Sequence, residues 1–143
     1  MSDYAGDVDC SATWEKLANN LNSVLVDVRT SAEWAFVGTP NLSAIQKATI
    51  LIEWQEYPTM GLNQNFVSEL TSRLEQSGGD SNTEIYFLCR SGARSRSAAI
   101  ALTGAGYNHC YNVAGGFEGD HNEAGHRGQV NGWKAEGLPW QQK

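Results

Sequence analysis

Residues 89 to 95 read Cys-Arg-Ser-Gly-Ala-Arg-Ser and Arg96 follows, so one thiol sits among three arginines. The whole chain carries a formal net charge of -6, which makes this cluster its strongest local exception. Cationic neighbours favour thiolate over thiol, and the thiolate is the form that attacks an electrophile. Arg90 and Arg94 supply the charge. Gly92 lets the backbone curl with N–H groups turned inward, because it takes positive φ at little cost. The backbone of Ser91 and Ala93 completes the curl, and the Ser95 hydroxyl is a further donor beside it. Such a loop is a small anion cradle around a nucleophilic sulfur.

Two elements must position that sulfur. The apolar run Ile85-Tyr86-Phe87-Leu88 stops at Cys89, so a strand over Glu84–Leu88 would present the thiol at its carboxyl end. Ligands of open α/β sheets bind beyond those ends. The segment from Ser95 to Ala105, closed by Gly106, reads as a helix. Its first turn offers unpaired N–H groups and the positive end of the helix dipole to an anion.

The remaining chain alternates in the same way. A helix over 11–20 starts at Ser11 as N-cap, and Val24-Leu25-Val26-Asp27-Val28 has the near-continuous apolar pattern of a buried parallel strand. Asp27 is the one carboxylate in that run. Thr30 or Ser31 caps a short helix through Phe36, ended by Gly38 and Pro40. Residues 48–52 read as a strand and 53–62 as a loop. A helix opens at Asn63 with Phe66, Leu70 and Leu74 on one face, and 110–113 forms a last strand. From about 117 to 143 the sequence predicts an irregular tail held to the domain by Trp133 and Trp140. Alternating strands and helices give an α/β fold with a mainly parallel sheet, and residues 1–143 read as a single domain.

Composition excludes several classes of function. At 41% hydrophobic and 18% charged residues the chain has the make-up of a globular protein. Its acidic balance argues against nucleic acid or an anionic membrane as partner, and no apolar run is long enough for a membrane span. The N-terminus, MSDYAGDVDC, lacks the basic and apolar regions of a targeting leader. With three cysteines, an odd number, the expectation is free thiols and a cytoplasmic setting.

Several features occur in an informative order: Val26-Asp27-Val28-Arg29 with Glu33-Trp34 and Gly38, then Cys89 to Ser95, then Asn112-Val113 with Gly115-Gly116-Phe117. In these residues the chain resembles the rhodanese-like sulfurtransferases, from about Trp14 to Trp140. The resemblance implies a three-layer fold whose mainly parallel central sheet, of roughly five strands, is flanked by helices. It also implies that Cys89 takes a sulfane sulfur from a small anionic donor, thiosulfate or a persulfide, and passes it to cyanide or a thiol. That thiol could belong to a protein acceptor. Arg94 would orient the donor, Arg90 would support it at the mouth, and the amides of 90–95 would hold the outer sulfur. Asp27 and Glu33 would brace the loop through its arginines, with Arg29 near the same pocket. No metal and no organic cofactor is expected. One segment departs from the family: Gly38-Thr39-Pro40-Asn41-Leu42 stands where Gly-His-Ile-Pro-Gly-Ala is common, which leaves pocket shape open.

The same residues admit other readings. Cell-cycle-type phosphatases and some arsenate reductases resemble this fold but place five residues between cysteine and arginine. Here four residues separate Cys89 from Arg94, and Ser95 stands at the phosphatase arginine's place. A non-catalytic binding module, or a persulfide carrier serving one protein partner, is the other alternative. Most cysteines at strand ends are merely small buried hydrophobes, which is the reading for Cys10 and Cys110. His109, His121 and His126 lack the spacing of a metal site. Arg96 reads as a solvated helix residue.

Overall fold

The computed structural model describes residues 3–142. Five strands form one sheet: β1 (Gly6–Val8), β2 (Ser23–Asp27), β4 (Ile50–Leu51), β7 (Glu84–Leu88) and β8 (His109–Val113). Their spatial order is β1-β8-β7-β2-β4, and every neighbouring pair is parallel. Strand β7 therefore lies at the centre, and the residue that leaves its carboxyl end is Cys89.

Successive side chains of β7 alternate between two cores, as the twofold period of a strand requires. Ile85, Phe87 and Cys89 pack with Phe66, Leu70 and Leu74 of α3 (Phe66–Gln76) and with Ala98, Ala99 and Leu102 of α4 (Ala93–Gly104). Tyr86 and Leu88 point the other way. They meet Cys10 and Leu17 of α1 (Cys10–Asn19), together with Phe117 and Trp133 from the tail. The architecture is helices, sheet, and helix with tail, in three layers.

Local chemistry sets the helix starts. The Asp9 carboxylate accepts from the Ala12 amide and caps α1, so the cap lies two residues before Ser11. Helix α2 (Ser31–Val37) opens with a full capping box between Thr30 and Glu33. Helix α3 begins at Phe66, after Asn63 has turned the chain by donating its side chain to the Glu53 carbonyl. Helix α4 begins at Ala93, two residues earlier than its apolar pattern suggests, and carries no side-chain cap.

Four further features differ from the sequence reading. Strand β1 forms from Gly6-Asp7-Val8, whose one apolar residue gives no strand signal, and it sits at the sheet edge against β8. The expected strand at 48–52 shrinks to Ile50–Leu51. The expected loop holds a small antiparallel hairpin of β5 (Gln55–Glu56) and β6 (Gly61–Leu62). The tail is not wholly irregular, because β9 (Trp140–Gln141) pairs antiparallel with β3 (Thr39–Pro40). Thus the segment that departs from the family pattern is the one that receives the tail. Trp133 is fully buried and donates its indole N–H to the Pro139 carbonyl at 2.7 Å, whereas Trp140 stays 39% exposed. Lys143, the tail's last residue, lies outside the described residues. No helix among the described residues is long and apolar enough to cross a membrane.

Candidate active site

The Cys89 side chain is buried at the point where β7 runs into α4. Between them Gly92 holds φ at 125°, a conformation that a side chain would strain. That turn swings the Gly92 amide back so that its N–H donates to Cys89 Sγ at 3.1 Å. The first hydrogen bond of α4 runs from the Arg96 N–H to the Gly92 carbonyl, so the amides of Ala93, Arg94 and Ser95 precede it. Helices α1 and α2 spend a side chain on that end, whereas α4 has no side-chain cap, and such an end favours negative charge. Ser95, fully buried, brings its Oγ to 3.2 Å from Cys89 Sγ.

The loop is clamped from below by the Gly-Gly-Phe turn. Phe117 N–H donates to the Cys89 carbonyl at 2.8 Å, and the amides of Glu118 and Gly119 both donate to the Arg90 carbonyl at 3.0 Å. Gly116 passes so close that a Cβ there would stand 2.5 Å from the Arg90 carbonyl oxygen, with φ at 67°. Only glycine fits that approach.

Two ion pairs lie beside the loop, and they are sorted differently from the expectation. Glu33 meets Arg94 through both carboxylate oxygens, Nη1 to Oε1 at 2.6 Å and Nη2 to Oε2 at 3.0 Å. Burial pushes the Glu33 carboxyl up, but the hydrogen bonds and charge of Arg94 outweigh it and hold it below the usual carboxylate range. Burial likewise disfavours the charged Arg94, and Glu33 reverses that effect and raises it. Asp27 does not reach a loop arginine. Its carboxylate is taken by Arg29, with Nη2 to Oδ2 at 2.6 Å and Nε to Oδ1 at 2.9 Å, and both side chains are fully buried.

Arg29 is thus committed inside the fold. Its Nη2 also donates to the Gly38 carbonyl, and its guanidinium lies 4.2 Å from the Phe117 ring centroid. The physical reason is proximity: Arg29 lies two residues beyond Asp27 on the same strand end, so it meets the buried carboxylate first. Arg90 is exposed and has no carboxylate within ion-pair range among the described residues. Ser91 and Ala93 shape the loop through their backbone.

One residue of the site lay outside the sequence reading of the loop. Asn112 of β8 is 5% exposed and accepts from Ser95 Oγ at 2.6 Å, which ties the neighbouring strand to the cysteine. Its place just before the Gly-Gly-Phe turn was the available signal. Cys10 and Cys110 are buried, and burial raises both thiols, Cys110 to about 11. Arg96 is exposed on α4 over the Tyr4 ring. Among the described residues no cluster of histidine, cysteine and carboxylate side chains could hold a metal ion.

Chemically, the site presents one sulfur to the uncapped start of a helix, with a hydroxyl in contact and an arginine on each side of the turn. The crystal structure of Rv0390 from M. tuberculosis is 45% identical, covers 98% of this chain and 99% of its own, and superposes with a TM-score of 0.88. The polysulfide-sulfur transferase homodimer of Wolinella succinogenes is similar at 21% identity and a TM-score of 0.60, over 99% of this chain and 80% of that one. The rhodanese-like domain of the Anabaena protein Alr3790 matches at 17% identity and a TM-score of 0.55, over 100% and 81%. The STR4 middle-domain family matches residues 6–143. The chain belongs to the STR4 middle-domain family and carries a rhodanese-like fold.

Proposed function

We propose that this protein is a sulfurtransferase that works through a persulfide on Cys89. The observation that carries the reading is the contact of the Gly92 N–H with Cys89 Sγ at the uncapped start of α4. That geometry favours negative charge on the sulfur and on an atom attached to it.

In the first half-reaction the Cys89 thiolate attacks the outer sulfur of thiosulfate. The new bond joins the two sulfurs, the thiosulfate S–S bond breaks, and sulfite leaves with its electron pair. The negative charge now rests on the outer sulfur of Cys89–S–S⁻, where the amides of Ala93, Arg94 and Ser95 begin the helix. In the second half-reaction cyanide or a thiolate attacks that outer sulfur and leaves as thiocyanate or a new persulfide. Cys89 regains its electron pair as thiolate. Both steps are displacements at sulfur and use no resident cofactor.

Arg90 stands at the mouth to draw the donor anion in. Arg94 contributes through what Glu33 leaves free, since each terminal nitrogen keeps a second N–H beyond the ion pair. A persulfide donor in place of thiosulfate, and a protein thiol as acceptor, use the same two steps. The chain is proposed to act as one domain.

The test is thiocyanate production from thiosulfate and cyanide, run beside transfer from a persulfide donor to a small thiol. Wild type should turn over at least one of these pairs and Cys89→Ser neither. Inactivity of the wild type with both would end the enzymatic reading.

A further inference from the structure

The Ser95 hydroxyl has one hydrogen and three neighbours able to accept it. Asn112 Oδ1 lies at 2.6 Å, while Cys89 Sγ and the Gly92 carbonyl both lie at 3.2 Å. The orientation of the Asn112 amide is set from its other end. Its Nδ2 donates to Asp7 Oδ1 at 3.0 Å, and a carboxylate accepts only from the nitrogen side. Asp7 and Asn112 are register partners in the β1–β8 ladder, which keeps the two side chains together. The oxygen of Asn112 is therefore turned towards Ser95, and the shortest contact takes the hydroxyl hydrogen.

We propose that Asp7 and Asn112 are positioning residues that aim the Ser95 hydrogen away from Cys89 and so withhold one hydrogen bond from the thiolate that the loop otherwise favours. With its hydrogen spent on Asn112, Ser95 turns a lone pair to Sγ, which suits an S–H donor. A thiolate there is served by the Gly92 N–H alone until the hydroxyl rotates and gives up its 2.6 Å bond. A persulfide makes no such demand, because its charge sits on the outer sulfur. The pair thus biases Cys89 away from the bare thiolate and towards states with a proton or a second sulfur attached.

The charged groups around this chain of contacts are few. Asp7 is exposed on β1 and also accepts from the Tyr4 hydroxyl at 2.8 Å; the Arg96 guanidinium of α4 lies over the Tyr4 ring. Arg94 of α4, paired to Glu33 of α2, and exposed Arg90 belong to the loop, and the buried Asp27–Arg29 pair lies beside it. None of these substitutes for the hydroxyl, since none hydrogen-bonds Sγ among the described residues.

The experiment is the pH profile of Cys89 alkylation by iodoacetamide, read by peptide mass spectrometry on the whole reduced protein. It needs no sulfur donor, so its outcome is independent of the sulfur-transfer reading. Asn112→Leu frees the hydroxyl to serve the thiolate and should move the midpoint down by about one pH unit. Asp7→Ala, on the exposed edge strand, frees the amide to turn over and should move it the same way. Asp7→Asn keeps an acceptor without the charge and should stay near wild type. In a Ser95→Ala background both shifts should vanish. An unchanged or raised midpoint in Asn112→Leu and Asp7→Ala, or equal shifts with and without Ser95, would overturn the proposal.

Discussion

Arg94 and Glu33 form a two-pronged ion pair that joins the first turn of α4 to the first turn of α2, at 2.6 and 3.0 Å. Glu33 serves two masters, because the same carboxylate closes the capping box by accepting from the Thr30 N–H. One carboxylate therefore sets both the start of α2 and the position of the loop arginine.

That double role predicts the outcome of Glu33→Gln. The amide keeps a cap acceptor but loses the charge that holds Arg94, so stability should fall by about 1–3 kcal/mol in urea titrations. Sulfur transfer should fall as well, since Arg94 is released. Arg94→Lys keeps a charge but not the fork, and should recover stability better than activity.

The depressed Glu33 carboxyl also makes a pH prediction. A carboxylate whose folded pKa lies below its unfolded value adds stability above the unfolded pKa, and that stability is lost as pH falls through the folded one. Thermal midpoints measured from neutral to acid pH should drop more steeply for wild type than for Glu33→Gln. Parallel curves would mean that the pair contributes nothing in solution.

Asp27 and Arg29 behave differently because neither touches solvent. Arg29→Met leaves a buried carboxylate unpaired, so a loss of about 3–5 kcal/mol is expected from denaturant curves. The double variant Asp27→Leu/Arg29→Met removes both charges and should recover much of that loss. A smaller loss in the single variant than in the double would contradict the pairing.

Gly116→Ala tests the clamp beneath the loop. The added Cβ meets backbone oxygens of Arg90 and Cys89 at 2.5 and 2.6 Å, so the loop itself must move. The cost should exceed the roughly 1–2 kcal/mol of left-handed backbone strain alone. Sulfur transfer should fall with it. Gly125→Ala, at φ 78° with open space around it, is the control for strain without a clash.

How much of this was legible in the chain depends on distance along it. The β7 strand, its cysteine, the loop and the start of α4 are contiguous, so apolar run, glycine and arginines announce one another. Asp27 announced a need for a cation but not which one. Arg29, two residues on, answers it inside the fold, whereas the family resemblance pointed to the loop. Strand β1 was invisible because Gly6-Asp7-Val8 carries one apolar residue and owes its conformation to β8. The pairing of Thr39–Pro40 with Trp140–Gln141 spans a hundred residues and leaves no local pattern. Asn112 was legible as part of a motif, but its role was hidden for the same reason: its partners, Asp7 and Ser95, come from two other elements.

The central claim is that Cys89 carries sulfur, and intact mass tests it most directly. Reduced protein incubated with thiosulfate, or with a persulfide donor, should gain the mass of one sulfur, mapped to the Cys89 peptide and lost on adding cyanide. Cys89→Ser should gain none. A wild type that gains no sulfur from either donor, or gains it equally in Cys89→Ser, would contradict the account.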